Sequence, residues 1–130
     1  MVEGSCHCGA VHWRFAGVPQ SATACNCSVC RRYGTLWAYG FEGENIEVSG
    51  PTLAYSHGEK NLQFHFCETC GCIAYWSPLR PREDSRRRMG VNLRLAEPDA
   101  VGAIPIEHLD GLDTWEPVER AGRCVADLWF

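Results

Sequence analysis

The chain has 130 residues, 45% of them hydrophobic and five of them tryptophan, which fits one domain (residues 1–130) with a packed core and disfavours a disordered segment. A formal net charge of −4 and a pI of about 5.7 argue against a non-specific nucleic-acid binder, which is usually basic. No run of about 20 apolar residues occurs, so no membrane-spanning helix is expected. Met1-Val2-Glu3-Gly4-Ser5 has neither a basic start nor an apolar stretch, so no secretory signal is expected and the expected location is the cytoplasm.

In chain order, Cys6-His7-Cys8-Gly9 precedes an alternating segment. Val11, Trp13 and Phe15 lie on one face of it, and His12 and Arg14 on the other, as in a half-buried strand. A pair two residues apart on an extended segment points to one side, so Cys6 and Cys8 can reach one ion. His12 reads as the polar face of the strand rather than a ligand. Residues 17–21 read as a loop. Cys25-Asn26-Cys27-Ser28-Val29-Cys30 follows, then Arg31-Arg32-Tyr33-Gly34, a single helical turn closed by Gly34. Residues 35–41 read as a strand, 43–45 as a hairpin turn, 46–48 as a returning strand and 53–55 as another.

Leu62 to Phe66 alternates and leads into Cys67-Glu68-Thr69-Cys70-Gly71; residues 72–76 lead away. This places Cys67 and Cys70 at a hairpin tip, with Gly71 where a knuckle often needs a positive φ. Arg80, Arg82, Arg86, Arg87 and Arg88 fall in a polar connection. Residues 90–95 read as a strand, 97–99 as a turn, Ile104 and Ile106 as a short strand, and Asp110-Gly111 as a turn. With no long segment of period 3.6, the expected class is mainly β, with antiparallel sheets and little helix.

Nine cysteines without an export signal point to metal ligands or redox groups, and the odd total argues against a fully paired disulfide framework. Cys6, Cys8, Cys67 and Cys70 can supply four thiolates to a closed tetrahedral zinc site, the alternative being buried, unligated cysteines. Structural zinc contributes about 10–16 kcal/mol in small zinc-finger peptides, more than a typical domain's whole stability, so the fold should depend on it. Cys25, Cys27 and Cys30 offer three thiolates within six residues. Three protein ligands with an open fourth position form the pattern of a reactive zinc. Three thiolates leave one net negative charge on a bound dication, which suits thiol chemistry better than strong Lewis acidity. The alternative is that Cys72, Cys124 or a histidine completes a second structural site. Otherwise Cys72 and Cys124 read as core residues.

The order, spacing and flanking residues of Gly4-Ser5-Cys6-His7-Cys8-Gly9-Ala10-Val11, Cys25-Asn26-Cys27-Ser28-Val29-Cys30-Arg31 and Phe66-Cys67-Glu68-Thr69-Cys70-Gly71 closely resemble the glutathione-dependent formaldehyde-activating enzyme family, also called the CENP-V/GFA domain family. The resemblance implies an Mss4-like fold of antiparallel sheets around zinc. It implies two zinc ions, a structural one on Cys6, Cys8, Cys67 and Cys70 and a catalytic one on Cys25, Cys27 and Cys30. It also implies a carbon–sulfur lyase reaction, addition of glutathione to formaldehyde to give S-(hydroxymethyl)glutathione.

Arg31, Arg32 and the arginines of 80–88 could hold the carboxylates of a small thiol substrate, glutathione by default, or form a solvated face. Asn26 and Ser28 could support the thiolates or satisfy loop backbone. No spacing argument singles out His7, His57, His65 or His108 as a proton carrier. A second reading is a zinc-stabilised protein-binding module without catalysis, using Trp37, Tyr39 and Trp76 as exposed anchors. A third is a redox or metal-handling protein working through Cys25–Cys30.

Overall fold

The alternation around Trp13 makes a strand because Val11, Trp13 and Phe15 are buried while His12 and Arg14 stay exposed. The structure, a computed structural model, describes residues 1–59, 61–120 and 122–128. Its elements are β1 (Val2–Ser5), β2 (His12–Phe15), β3 (Ala22–Cys25), α1 (Cys30–Tyr33), β4 (Trp37–Phe41), β5 (Ile46–Ser49), β6 (Thr52–Tyr55), β7 (Leu62–Cys67), β8 (Ile73–Pro78), β9 (Arg88–Asn92), α2 (Pro98–Val101), β10 (Ile106–Leu109) and β11 (Pro117–Val118). Leu93–Leu95 and Val125–Leu128 are short 3₁₀ turns. The fold is mainly β with little helix, as the sequence leads one to expect.

Two sheets form. The smaller has the order β1-β2-β5, and the larger β11-β10-β3-β4-β9-β8-β7-β6. Among the described residues, the strands of both sheets pair antiparallel except β3 with β10, which run parallel with Ile106 opposite Ala22 and Leu109 opposite Cys25. The larger sheet is apolar on both faces. Ala38 of β4 joins Val2, Trp13, Phe15, Ile46, Met89 and Val91 in the core between the sheets. Trp37 projects the other way, into a second cluster with Phe64, Ile73, Cys25, Cys27 and Cys30. In β7, Phe64 belongs to the second cluster and Cys67 to the first.

Several elements depart from the sequence reading. β1 and β11 carry too little apolar pattern to be read as strands; β1 forms because its backbone pairs with β2 from Val2–Phe15 to Ser5–His12. The strand read over 90–95 runs from Arg88 and stops at Asn92, whose side-chain Oδ1 accepts from Arg94 N–H at 3.2 Å and caps the 3₁₀ turn. Cys124 is only half-buried, bridging Pro105 through its backbone, and the core position beside it is Val125. Cys72 is likewise half-buried and lies one residue before β8. Trp129 and Phe130 of the apolar C-terminal run lie outside the described residues.

Asn92 also ties β4, β8 and β9 together. Its Oδ1 accepts from Leu36 N–H at 3.3 Å and its Nδ2 donates to Ile73 C=O at 2.9 Å, all in a buried setting. Truncation orphans two donors and one acceptor. Asn92→Ala is therefore expected to cost about 1–3 kcal/mol in chemical denaturation of the metal-loaded protein. A change below about 0.5 kcal/mol would mean that the strands hold their register without it.

Candidate functional site

The two hairpin tips β1–β2 and β7–β8 bring Cys6, Cys8, Cys67 and Cys70 together, with all four sulfurs within 4.8 Å of one another. The Sγ atoms of Cys6 and Cys8 are 3.6 Å apart, as are those of Cys8 and Cys67. A tetrahedron with zinc–sulfur bonds near ~2.3 Å has an edge of roughly 3.8 Å, so the sulfurs fit a single ion. The sequence reading puts Cys6 and Cys8 on an extended segment, and the structure does not. They occupy the turn that follows β1, where Gly9 N–H donates to Cys6 C=O (2.9 Å) and Val11 N–H donates to Cys6 Sγ (3.2 Å). The second tip repeats this pattern. Gly71 N–H donates to Cys67 C=O (2.9 Å), Thr69 N–H donates to Cys67 Sγ (3.4 Å), and Gly71 takes φ +77°, open to glycine without a Cβ clash. Backbone N–H groups aimed at sulfur favour the thiolate. The Cys72 N–H foremost lowers Cys70 to about 5.

Cys25, Cys27 and Cys30 form a separate group, again with sulfurs within 4.8 Å, and among the described residues no fourth Cys, His, Asp or Glu joins them at that range. Neither Cys72 nor Cys124 completes this site. Cys25 ends β3, Cys27 lies in the following turn, and Cys30 opens α1, which Gly34 closes through its N–H to Cys30 C=O. Cys27 N–H donates to Cys25 Sγ (3.5 Å) and Cys30 N–H to Cys27 Sγ (3.3 Å). Trp37 Nε1–H donates to Cys30 Sγ at 3.3 Å. The hydrogen bond from Cys30 foremost lowers the Cys25 thiol to about 6, while that same bond, aided by burial, pushes Cys30 up.

This group opens onto a cleft of about 1020 Å³ whose aromatic walls include Trp37, Tyr39, Phe64 and Trp76. Ring centroids lie 6.2 Å apart for Trp37–Phe64 and 5.9 Å for Tyr39–Trp76. Burial pushes the Tyr39 phenol up to about 12, so it stays neutral. Trp37 is 1% exposed. It is therefore no surface anchor, because its strand is covered on both faces and its ring lies against the cysteines. Tyr39 and Trp76 are half-buried in the same cleft.

The sequence reading gives a strand at Ile104 and Ile106 and a turn at Asp110-Gly111, but does not place this segment, residues 106–117, as the opposite wall of the cleft. Asn26 joins it to the cysteine turn: its N–H donates to Leu109 C=O (3.3 Å), its Oδ1 accepts from Leu112 N–H (3.1 Å), and its Nδ2 donates to Asp110 Oδ1 (3.4 Å). Asn26 thus holds loop backbone and not a thiolate. Asp110 also accepts from Leu112 N–H (3.2 Å) and Thr114 N–H (3.4 Å), and that Thr114 contact first of all holds its carboxyl below the usual range. Gly111 lies against the cysteines so closely that a Cβ there would come within 2.6 Å of Cys25 Sγ. The loop ends in Trp115 at φ +58°, a left-handed conformation costing a bulky residue on the order of 1–2 kcal/mol. The ring remains 64% exposed.

The other singled-out polar residues have mostly structural partners. Arg86 makes a two-pronged pair with Glu44 (2.7 and 2.8 Å) and stacks on Phe41, and Arg87 pairs with Glu42 (2.7 Å). Arg32 donates to Ser28 C=O at 2.8 Å. Arg88 belongs to β9 rather than to the polar connection; it lies over the Tyr39 ring at 4.6 Å and borders the cleft. His65 bridges Thr52 (2.9 Å) and Ser77 (2.8 Å), with burial foremost depressing its pKa. His57 stacks on Phe64, and His7 is exposed on the first hairpin tip. His108 borders the cleft, burial foremost lowers its pKa, and its Nε2 has no partner among the described residues.

Gly111→Ala should push the loop off the cysteines and lower metal affinity at Cys25, Cys27 and Cys30 by about tenfold or more, read by competition with a chromogenic chelator. The Cys6–Cys8–Cys67–Cys70 group should keep its metal; unchanged affinity at both would mean the loop gives way freely. Asp110→Ala should speed amide hydrogen exchange at Leu112 and Thr114 while leaving β7 and β8 protected. Equal protection in both proteins would show that the loop does not depend on that carboxylate.

Residues 1–103 match the family described as glutathione-dependent formaldehyde-activating enzyme. A protein of Halomonas elongata that carries this enzyme name provisionally is 35% identical over 94 aligned residues, covering 58% of this chain and 55% of that one. The chain thus spans about half the length of that relative. A crystal structure of a Rhodobacter sphaeroides protein superposes with a TM-score of 0.60 at 28% identity, over 80% of this chain and 98% of that one. With the match covering most of its length, the chain belongs to the glutathione-dependent formaldehyde-activating enzyme family.

Proposed function

We propose that this protein is a zinc enzyme of the carbon–sulfur lyase type that joins a small thiol to formaldehyde, with glutathione as the default thiol. The observation that carries this reading is the contrast between its two cysteine groups. Four sulfurs can close around one ion, whereas three sulfurs beside a cleft of about 1020 Å³ leave a position for a reactant. The family and the provisional name of the Halomonas elongata relative support glutathione and formaldehyde as the pair.

In the reaction, the thiol sulfur forms a bond to the formaldehyde carbon, the carbon–oxygen double bond becomes single, and the thiol proton ends on that oxygen. No oxidant or reductant is needed. A zinc held by Cys25, Cys27 and Cys30 would supply either thiol deprotonation or polarisation of the carbonyl oxygen. The chain's part is electrostatic and spatial. Trp37 Nε1–H and the Cys27 and Cys30 amides point at the three sulfurs and spread their excess charge. The aromatic walls beside the cysteines offer the apolar surface on which the two reactants are held side by side. The Cys6–Cys8–Cys67–Cys70 group is assigned to a second, structural zinc.

The protein-binding alternative is not favoured, because Trp37 is buried and Tyr39 and Trp76 line the cleft.

The test is formation of the hydroxymethyl thioether from ¹³C-formaldehyde and glutathione, followed by NMR above the uncatalysed rate. The zinc-loaded protein should accelerate it, Cys27→Ser should return the rate to background with the fold intact, and Cys67→Ser should unfold the protein. No acceleration by the zinc-loaded protein would sink the enzymatic reading, and unfolding of both variants would make the second site structural.

A further inference from the structure

The cleft beside Cys25, Cys27 and Cys30 has a chemical character of its own, and it is only partly that of a glutathione site. Glutathione carries two carboxylates and an ammonium group, so tight recognition calls for several charged partners. Among the described residues Arg88 is the one arginine that borders the cleft, while Arg86 is engaged with Glu44 and Arg87 with Glu42. Arg88 lies there over the Tyr39 ring. Two carboxylates, Glu59 and Glu107, border the cleft as well and disfavour a second negative group on the ligand.

The apolar side is more developed. Trp37, Tyr39, Phe64 and Trp76 form one wall. The loop of residues 110–116 brings Leu112 and Trp115 to the other, and both are exposed, at 62% and 64%. Trp115 is held in a left-handed backbone conformation, with its N–H donating to Asp110 C=O at 2.7 Å. Asn26, next to Cys25 and Cys27, anchors the same loop through Leu112. The loop also lies beyond residues 1–103, the part that matches the family. Large apolar side chains left in water at the mouth of a cleft gain most when an apolar ligand covers them.

We infer that the preferred thiol has an aromatic or branched apolar body and a single carboxylate, the ring seated between the aromatic wall and Leu112 and Trp115, and the carboxylate on Arg88. This specificity rests on the thiol reading of the three-cysteine site. The addition itself is unchanged: one sulfur–carbon bond forms and the thiol proton moves to oxygen.

The experiment uses the zinc-loaded full chain and three probes: 2-mercapto-3-phenylpropanoate, 3-mercaptopropanoate and glutathione. Calorimetry gives Kd, and ¹³C-formaldehyde NMR gives adduct formation. The phenyl probe should bind about tenfold or more tightly than either of the others. Leu112→Ser with Trp115→Ala should erase that advantage while leaving zinc content, circular dichroism and glutathione affinity within about twofold. Arg88→Gln should weaken both one-carboxylate probes together. Glutathione binding as tightly as the phenyl probe, with turnover, would overturn the specificity and leave the proposed function standing. A tight phenyl probe with no adduct from any thiol would uphold the specificity and overturn the reaction. Binding of none of the three would overturn both.

Discussion

Four cysteine sulfurs within 4.8 Å of one another cannot all carry charge without a cation among them. That constraint lies where the two sheets meet. Cys6 and Cys8 come from the turn after β1 in the smaller sheet, and Cys67 and Cys70 from the tip of β7–β8 in the larger. Cys6 and Cys67 are themselves core residues, packed with Trp13, Val91 and Leu93. A shared ion at this point would fix the separation of the two hairpin tips and, through them, the packing between the sheets. Each tip is shaped for the purpose by the same device, a backbone N–H aimed at the first sulfur.

The larger sheet then divides the molecule's two tasks. The face with Ala38 and Val91 packs against the smaller sheet, while the face with Trp37 and Phe64 carries Cys25, Cys27 and Cys30. Because Trp37 and Ala38 are neighbours in β4, any shift of that strand would disturb both. Asn92 limits such a shift, bonding at once to the backbone at Leu36 and Ile73. The parallel pairing of β3 with β10 sets Leu109 beside Cys25 and so delivers a loop from far along the chain to the cysteine turn.

Much of the candidate site was legible in the sequence because metal knuckles are local. Their ligands must lie two or three residues apart, and a glycine such as Gly71 must follow where the chain turns back. Alternation likewise exposed β2 and β7, and the chain leaving the Cys67–Cys70 knuckle marked β8. What escaped was tertiary. Trp37-Ala38-Tyr39-Gly40 alternates as a half-exposed strand would, and nothing in it reveals that both faces are covered. The loop with Gly111, Leu112 and Trp115 shows only the turn signal of Asp110-Gly111; what places it is Asn26, 84 residues from Asp110. The pairing partners of the arginines were hidden for the same reason, since Glu44 and Arg86 meet only through the fold.

The central claim is that one cysteine group is closed and the other open. It is tested most directly by counting zinc per chain on protein purified without added metal, before and after a chelator, with and without glutathione. The account predicts two zinc ions, one resistant to the chelator and one removed by it unless glutathione shields it. A single resistant zinc, with Cys25, Cys27 and Cys30 all freely alkylated, would contradict the account.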